Sequence, residues 1–445
     1  TIAAGFRYDH FANSFPEQIL EPTTFTPTRN LTIPKTANTS YHDITPRGQF
    51  AYDLFGTGKT AVKVSINKYL TGLGTTDSGS FGVSAAPNPI AVLATTSTRE
   101  WTDANGNFTP DCDLFNPAAQ DLRTSNGDFC GAGEQRFGQA TPNTSFDPEL
   151  LRGWGKRFYN WEFSTGIQHE LLPRVGLDVG YFRRWYGNFT VTDNRLVSAA
   201  DFDTYSIVAP VDSRLPDNGG YTVSGLKNVR PQFVGLTDNF LTHADNFGKR
   251  TEHWNGVDVN VNARLAQGLA IQGGTSTGRT STNNCEILAA LPETGVNTVP
   301  YCDSVGAWLT QVKGAASYMV PVIDVSVAAT YQYLPGPEIN ANWVVTSAVA
   351  LPSLGRNLSG GNQTVGLITP NQEYGKGLNQ LDLRFAKILR FGGSRATINF
   401  DLYNAANANT ILTHNNTFSP TATTWLQPLG VLTARFFKVG AQLDF

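Results

Sequence analysis

No uninterrupted apolar stretch in the 445 residues reaches the roughly 18 needed for a transmembrane helix, so any membrane crossing must be made by strands. Charge is sparse: charged side chains are 16% of the chain and the net charge is -3, which predicts no nucleic-acid surface. Histidine is limited to six residues, and no P-loop, G-x-S-x-G, H-E-x-x-H or paired metal motif occurs. Catalysis therefore has little to stand on, and no cofactor is implied. An initiator Met and a signal peptide are also missing. Because Thr1-Ile-Ala-Ala-Gly-Phe-Arg-Tyr-Asp reads as mid-strand from the start, the expectation is a processed or incomplete piece of something longer.

Only four cysteines occur, in two neighbouring pairs: Cys112 with Cys130, and Cys285 with Cys302. Each pair lies in a polar segment rich in Gly, Asn and Pro. Zinc would need tighter Cys spacing or adjacent histidines, so two local disulfides are the simplest account. Loops of this size gain on the order of 3 kcal/mol once bridged, and bridging implies periplasm or cell exterior.

What is plentiful is strand and turn chemistry. Hydrophobic residues are 40% of the chain, and Gly, Thr, Asn and aromatics abound, which suits strands and turns better than helices. Period-2 alternation recurs throughout. Val62, Val64 and Ile66 oppose Lys63, Ser65 and Asn67, and Tyr159, Trp161, Phe163 and Ile167 oppose Glu162, Ser164 and Gln168. The same holds for Val257 to Ala263, Ile323 to Tyr331, Leu381 to Phe385 and Ile398 to Leu402. A soluble sandwich also alternates, but these runs are nearer the 9 to 11 residues of a membrane crossing than the roughly 5 to 6 of an ordinary strand.

The chain closes on Lys438-Val-Gly-Ala-Gln-Leu-Asp-Phe445. Val439, Ala441, Leu443 and Phe445 share one predicted face, and Lys438, Gly440, Gln442 and Asp444 the other. This ending reads as the insertion signal of bacterial outer-membrane barrels, carried by Lys438, Gly440, Leu443 and Phe445.

Connections alternate between tight and long. Tight turns are expected at Phe55 to Lys59, Leu171 to Arg174, Ala266 to Gly268, near Pro321, and at Phe391 to Ser394. Long polar segments run approximately from Ala12 to Tyr41, Thr71 to Gly155, Thr190 to Arg250, Ser276 to Gly306, Pro335 to Gly377 and Ala405 to Leu429. Short periplasmic turns and long external loops are the asymmetry of an outer-membrane barrel. The expected fold is all-β, an antiparallel transmembrane β-barrel with about twelve strands here, the first running outward and the last inward. Trp185, Trp254, Trp308, Tyr318 and Tyr333 fall near strand ends, where an aromatic girdle would lie.

Four stretches carry a family resemblance: Ile44 to Lys63, Asn255 to Arg264, Leu381 to Lys387 and Phe400 to Asn407. They resemble the C-terminal barrel of TonB-dependent receptors, most of all the Oar-like type with a carboxypeptidase-regulatory-like N-terminal domain. The resemblance spans residues 1–445 as one barrel portion. It implies the last twelve strands of a 22-stranded outer-membrane barrel, import of a scarce external ligand, and energy relayed by the TonB complex through an N-terminal plug. Plug, TonB-contacting segment and leader are not recognisable in this sequence. The barrel-insertion machinery is the partner implied for the last strand. A passive porin or a surface adhesion scaffold is the alternative class.

Ligand capture is placed at Arg152-Gly-Trp-Gly-Lys-Arg157, where Arg152, Trp154, Lys156 and Arg157 concentrate cations and an aromatic ring near an external strand start. Anchoring to the charged outer leaflet is the competing role for these residues. A base assembled from His243 and Asp245, or from His253 and Glu252, lacks a recognisable nucleophile. Asp201 and Asp203 lack the ligand ladder of a calcium loop. Arg7, Asp9, Lys63, Glu162, Asp178, Arg264 and Arg384 are assigned to the wet face, where they contact a plug or keep the interior hydrated.

Overall fold

Alternation of β-branched and aromatic residues with polar ones produces twelve long strands. In the computed structural model these are β1 (Ile2–Phe15), β2 (Thr36–Asp53), β3 (Thr60–Leu70), β4 (Tyr159–Leu172), β5 (Val175–Gly187), β6 (Thr251–Arg264), β7 (Leu269–Asn283), β8 (Leu309–Val320), β9 (Val325–Leu334), β10 (Leu378–Phe391), β11 (Ser394–Tyr403) and β12 (Phe436–Asp444). The structure describes residues 1–27, 29–72, 93–140, 144–265 and 268–445. In chain order the twelve form one antiparallel sheet, each strand hydrogen-bonded to the one before it. A ladder between β1 and β12 is not found among the described residues, so these two strands are the edges.

Strand lengths run from 9 residues in β12 to 18 in β2, so several exceed the expected crossing. Segments read as loop from their polarity continue the ladder instead. β1 extends to Phe15, β2 begins at Thr36 and β7 runs to Asn283. The Thr- and Ser-rich end of β7 pairs normally while being polar on both faces, so the alternation stops before the backbone pairing does. Short turns come close to their expected places. At the β2–β3 turn the Asp53 carboxylate accepts from the N–H groups of Phe55 and Gly58 at 3.4 and 2.6 Å. Gly56 and Gly58 there adopt φ of 67° and 71°, a region that suits glycine. Of the turn expected at Ala266 to Gly268, residues 266 and 267 lie outside the described residues, as do 73–92 and 141–143 of the segment from Thr71 to Gly155.

Register makes the two faces explicit. One face carries Phe6, Tyr8, Ile44, Phe50, Val64, Ile66, Phe163, Ile167, Val179, Val257, Val259, Val261, Phe385, Phe400 and Val439 in neighbouring rows. Most of these side chains are bare, Phe6 being 77% and Val439 64% exposed, while Val64, Phe163, Val259 and Val261 are half-buried. A continuous apolar surface of this extent calls for an apolar surrounding. The other face is polar and cross-linked along the sheet. Arg7 pairs with Asp9 at 2.5 Å, Arg184 with Glu162 at 2.5 Å, and Gln168 donates to Asp178 at 2.5 Å. Arg384 grips Asp401 through two bonds at 2.5 and 2.9 Å. Lys63 and Arg264 lie exposed on the same face.

Trp254 corrects the expected girdle. It is in register with Arg184 on the polar face, and its indole covers Gly256 and Gly278, where an added Cβ would meet the ring at 2.1 and 2.3 Å. Phe445 is likewise not part of the last strand; it follows Asp444 and is fully exposed. Lys438, Gly440 and Leu443 lie opposite Asp401, Asn399 and Ala396 on β11.

Candidate functional site: a polar wall beneath a folded loop cap

Because the sheet is a simple antiparallel meander, all long connections leave from one end and all short turns from the other. The long connections are not loose polar chain. The hairpin Phe202–Val208 with Thr222–Val229, the small sheet of Asn342–Thr346, Asn362–Gly366 and Thr417–Phe418, and the helix Ser347–Leu354 enclose a hydrophobic core of their own. Leu226, Val345, Val365, Phe418 and Trp425 are its buried centre. Phe418 and Trp425 meet edge to face at 5.2 Å. Since three separate connections contribute, burial of apolar side chains ties the loops into a cap.

Polar contacts fix the loops to one another. Tyr221 and Tyr301 donate from their hydroxyls to the carbonyls of Leu367 and Gly366, each at 2.7 Å. Burial pushes the Tyr301 hydroxyl up to about 12, so it stays a donor. Arg356 donates to Asp203 at 2.9 Å, to the Asn228 side chain at 2.7 Å and to the carbonyls of Asn228 and Val229 at 3.1 and 3.2 Å. Burial would raise the Asp203 carboxyl, but hydrogen bonds from Arg230 and Arg356 outweigh it and hold it below the usual range. Asp201 accepts from Ser198, capping a helical turn. Both aspartates thus have protein partners.

Disulfides join Cys112 to Cys130 and Cys285 to Cys302. Beside the first, the buried Asp128 accepts from the Trp101 indole and the Ala104 amide, both at 3.0 Å.

The recesses among the described residues include two with polar linings, one on the sheet and one in the cap. One, of 480 Å³, opens on the polar face among Asp258, Asn260, Asn262, Gln272, Ser276, Gln311 and Lys313. The other, of 440 Å³, lies in the cap among Thr190, Thr192, Asn194, Asn239, Arg250 and Glu293, over a floor of Ile287 and Leu288.

The cluster expected to capture ligand is brought together, but its groups face apart. Arg152–Trp154 runs parallel to Ser40–His42 of β2. Trp154 stacks on His42 at 5.0 Å, and His42 on His10 at 4.5 Å, on the apolar side of the sheet. Arg152 donates to the carbonyls of Asn38 and Ala37, Lys156 pairs with Glu149 at 3.1 Å, and Arg157 forms a buried pair with Asp43 at 2.6 Å. His243 and Asp245 share no hydrogen bond among the described residues, and Glu252 and His253, being successive in a strand, point to opposite faces. Sequence reasoning missed Arg356 and Glu293, and neither lies in a motif that would have shown it.

Sheet and cap define the class of protein: an all-β chain with one apolar and one polar face and a folded crown at one end. No family model and no curated protein matches the sequence. Among solved structures, it is similar to the ferric-catecholate import receptor Fiu of Escherichia coli in its closed form, at 12% identity and a TM-score of 0.43, covering 99% of this chain and 42% of that one. The FrpB iron transporter of Neisseria meningitidis gives 10% identity and a TM-score of 0.44, over 99% of this chain and 42% of that one. The outer-membrane transporter YddB of Escherichia coli gives 12% and 0.44, over 99% and 45%. The chain spans less than half the length of these three proteins.

Proposed function

We propose that this chain is part of a receptor wall in a bacterial outer membrane, which captures an external ligand on its loop cap and admits it along the polar face. The observation that carries the reading is the pairing of a bare apolar face with a polar one across all twelve strands, under connections that are folded rather than loose. A bare apolar face suits lipid and a polar face suits a wet interior. A passive pore gains little from so much ordered external structure. Energy from the inner-membrane TonB complex, relayed by a plug, is the mode implied by the four resembling stretches. Arg152, Trp154, Lys156 and Arg157 fit anchoring at the membrane interface better than capture, because the three cations are committed to protein partners and the ring lies on the apolar side.

The test is uptake in cells that carry the full-length protein, across a panel of scarce nutrients. Ligand-dependent accumulation that stops when the proton gradient is collapsed is the expected result. Equal flux of unrelated small solutes, indifferent to that treatment, would replace the reading with a passive pore.

A further inference from the structure

Cations without counter-charges gather at the loop end of the apolar face. Arg183 of β5 and Arg279 of β7 flank Asn255 of β6 in one register row. Neither is ion-paired among the described residues, and the buried Arg279 Nε has no hydrogen-bond partner. The next row toward the loops runs Lys68, Trp161, Trp185 and His253 across β3 to β6. Its two indoles stack at 6.3 Å, and Arg279 lies 4.7 Å from the ring of Trp308. A groove of 730 Å³ opens here; in its lining Arg250 pairs with Glu252 at 3.8 Å, while Arg183 and Lys249 have no ion-pair partner among the described residues. Toward the turn end the same face continues as Tyr181, Val179 and Leu177 on β5, and as Val257, Val259 and Val261 on β6.

We propose that this groove holds the phosphorylated headgroup of a membrane lipid, with the acyl chains lying along the valine face of β5 and β6. A guanidinium group matches phosphate oxygens in a two-pronged geometry, and Arg183 and Lys249, left without counter-charges in the groove, supply the complementary charge. Aromatic rings beside the cations fit the boundary between headgroup and hydrocarbon. The apolar rows directly below favour a lipid over a free anion, which would gain nothing from them.

The inference rests on the apolar face being the one that meets lipid. Native mass spectrometry of the purified protein in nonionic detergent tests it with three probes: dioleoyl phosphatidic acid, dioleoylglycerol and inorganic phosphate. Phosphatidic acid should bind at least about tenfold more tightly than the other two, and the double variant Arg183→Gln with Lys249→Gln should lose about tenfold or more of that affinity. Arg183→Lys, which keeps the charge but not the two-pronged geometry, should bind with an affinity between those of the wild type and the double variant and shows that the wall still folds. Equal binding of phosphatidic acid and dioleoylglycerol, equal binding of inorganic phosphate, or an unaffected double variant would each overturn the lipid site while leaving the membrane reading intact. A protein that stays monodisperse without detergent would overturn the membrane reading itself.

Discussion

Glu293 lies beside the loop cavity with Oε1 accepting from the Asn194 amide at 3.3 Å and Oε2 buried without a partner. Burial raises its carboxyl above the ordinary 4.5, and the nearby Asp193 pushes the same way. The folded cap therefore prefers the protonated acid. A folded-state value above the unfolded one gives a contribution that is fully present below 4.5 and is lost as pH rises through the raised value. Hydrogen exchange in residues 284–308, corrected for intrinsic rates, should show protection falling as pH rises over that window, and Glu293→Gln should flatten the dependence. An unchanged slope in the variant would assign the effect elsewhere. None of this was legible in the sequence, where Glu293 is one acid in a polar loop. The cysteine pairs were legible because each closes within its own segment. Arg157 was not, because its partner Asp43 is 114 residues away and only the fold brings the two together.

At the scale of elements, the strands were legible and the cap was not, for one physical reason. A strand between two media writes its pattern in adjacent residues, whereas the cap's core draws Leu226, Val345, Val365 and Phe418 from three distant connections. Trp254 shows a related limit: an aromatic residue near a strand end suggests a girdle, yet the glycines at 256 and 278 that accept its ring on the polar face are a tertiary feature. The cap's cohesion has a testable joint in Arg356, which ties the turn after the helix Ser347–Leu354 to the hairpin Phe202–Val208 with Thr222–Val229. Arg356→Ala removes one charged pair and the Arg356 donors to the Asn228 side chain and carbonyl, while the Val229 carbonyl keeps the Ser359 hydroxyl. The expected cost is about 2–3 kcal/mol to local cap stability. Exchange protection should fall in residues 202–229 and 362–366 while the ladders of β6 to β9 keep theirs. Uniform loss across the wall would mean that cap and wall unfold as one unit.

At the scale of the molecule, the unresolved demand lies at the sheet's two edges. Among the described residues of the sheet, β1 pairs with β2 alone and β12 with β11 alone. On each, every second residue turns its N–H and C=O away from its neighbour, beside side chains such as Phe6 and Val439 that belong to the apolar face. An unsatisfied backbone group costs several kcal/mol in hydrocarbon, so neither edge can remain open in a membrane. Two closures satisfy the demand: additional strands of the full-length protein complete the wall, or β1 pairs directly with β12 in a narrow barrel. The folded cap favours the first, because three connections packed around a common core need a wide rim beneath them. Single cysteines placed along β1 and β12 of the full-length protein, expressed in outer membranes and oxidised there, distinguish the two. The expected outcome is no cross-link between the strands at any register, with β1 amides nonetheless protected from exchange. A ladder of cross-links with a two-residue period would show the narrow barrel, and transport would then have to be explained by a pore of only these twelve strands.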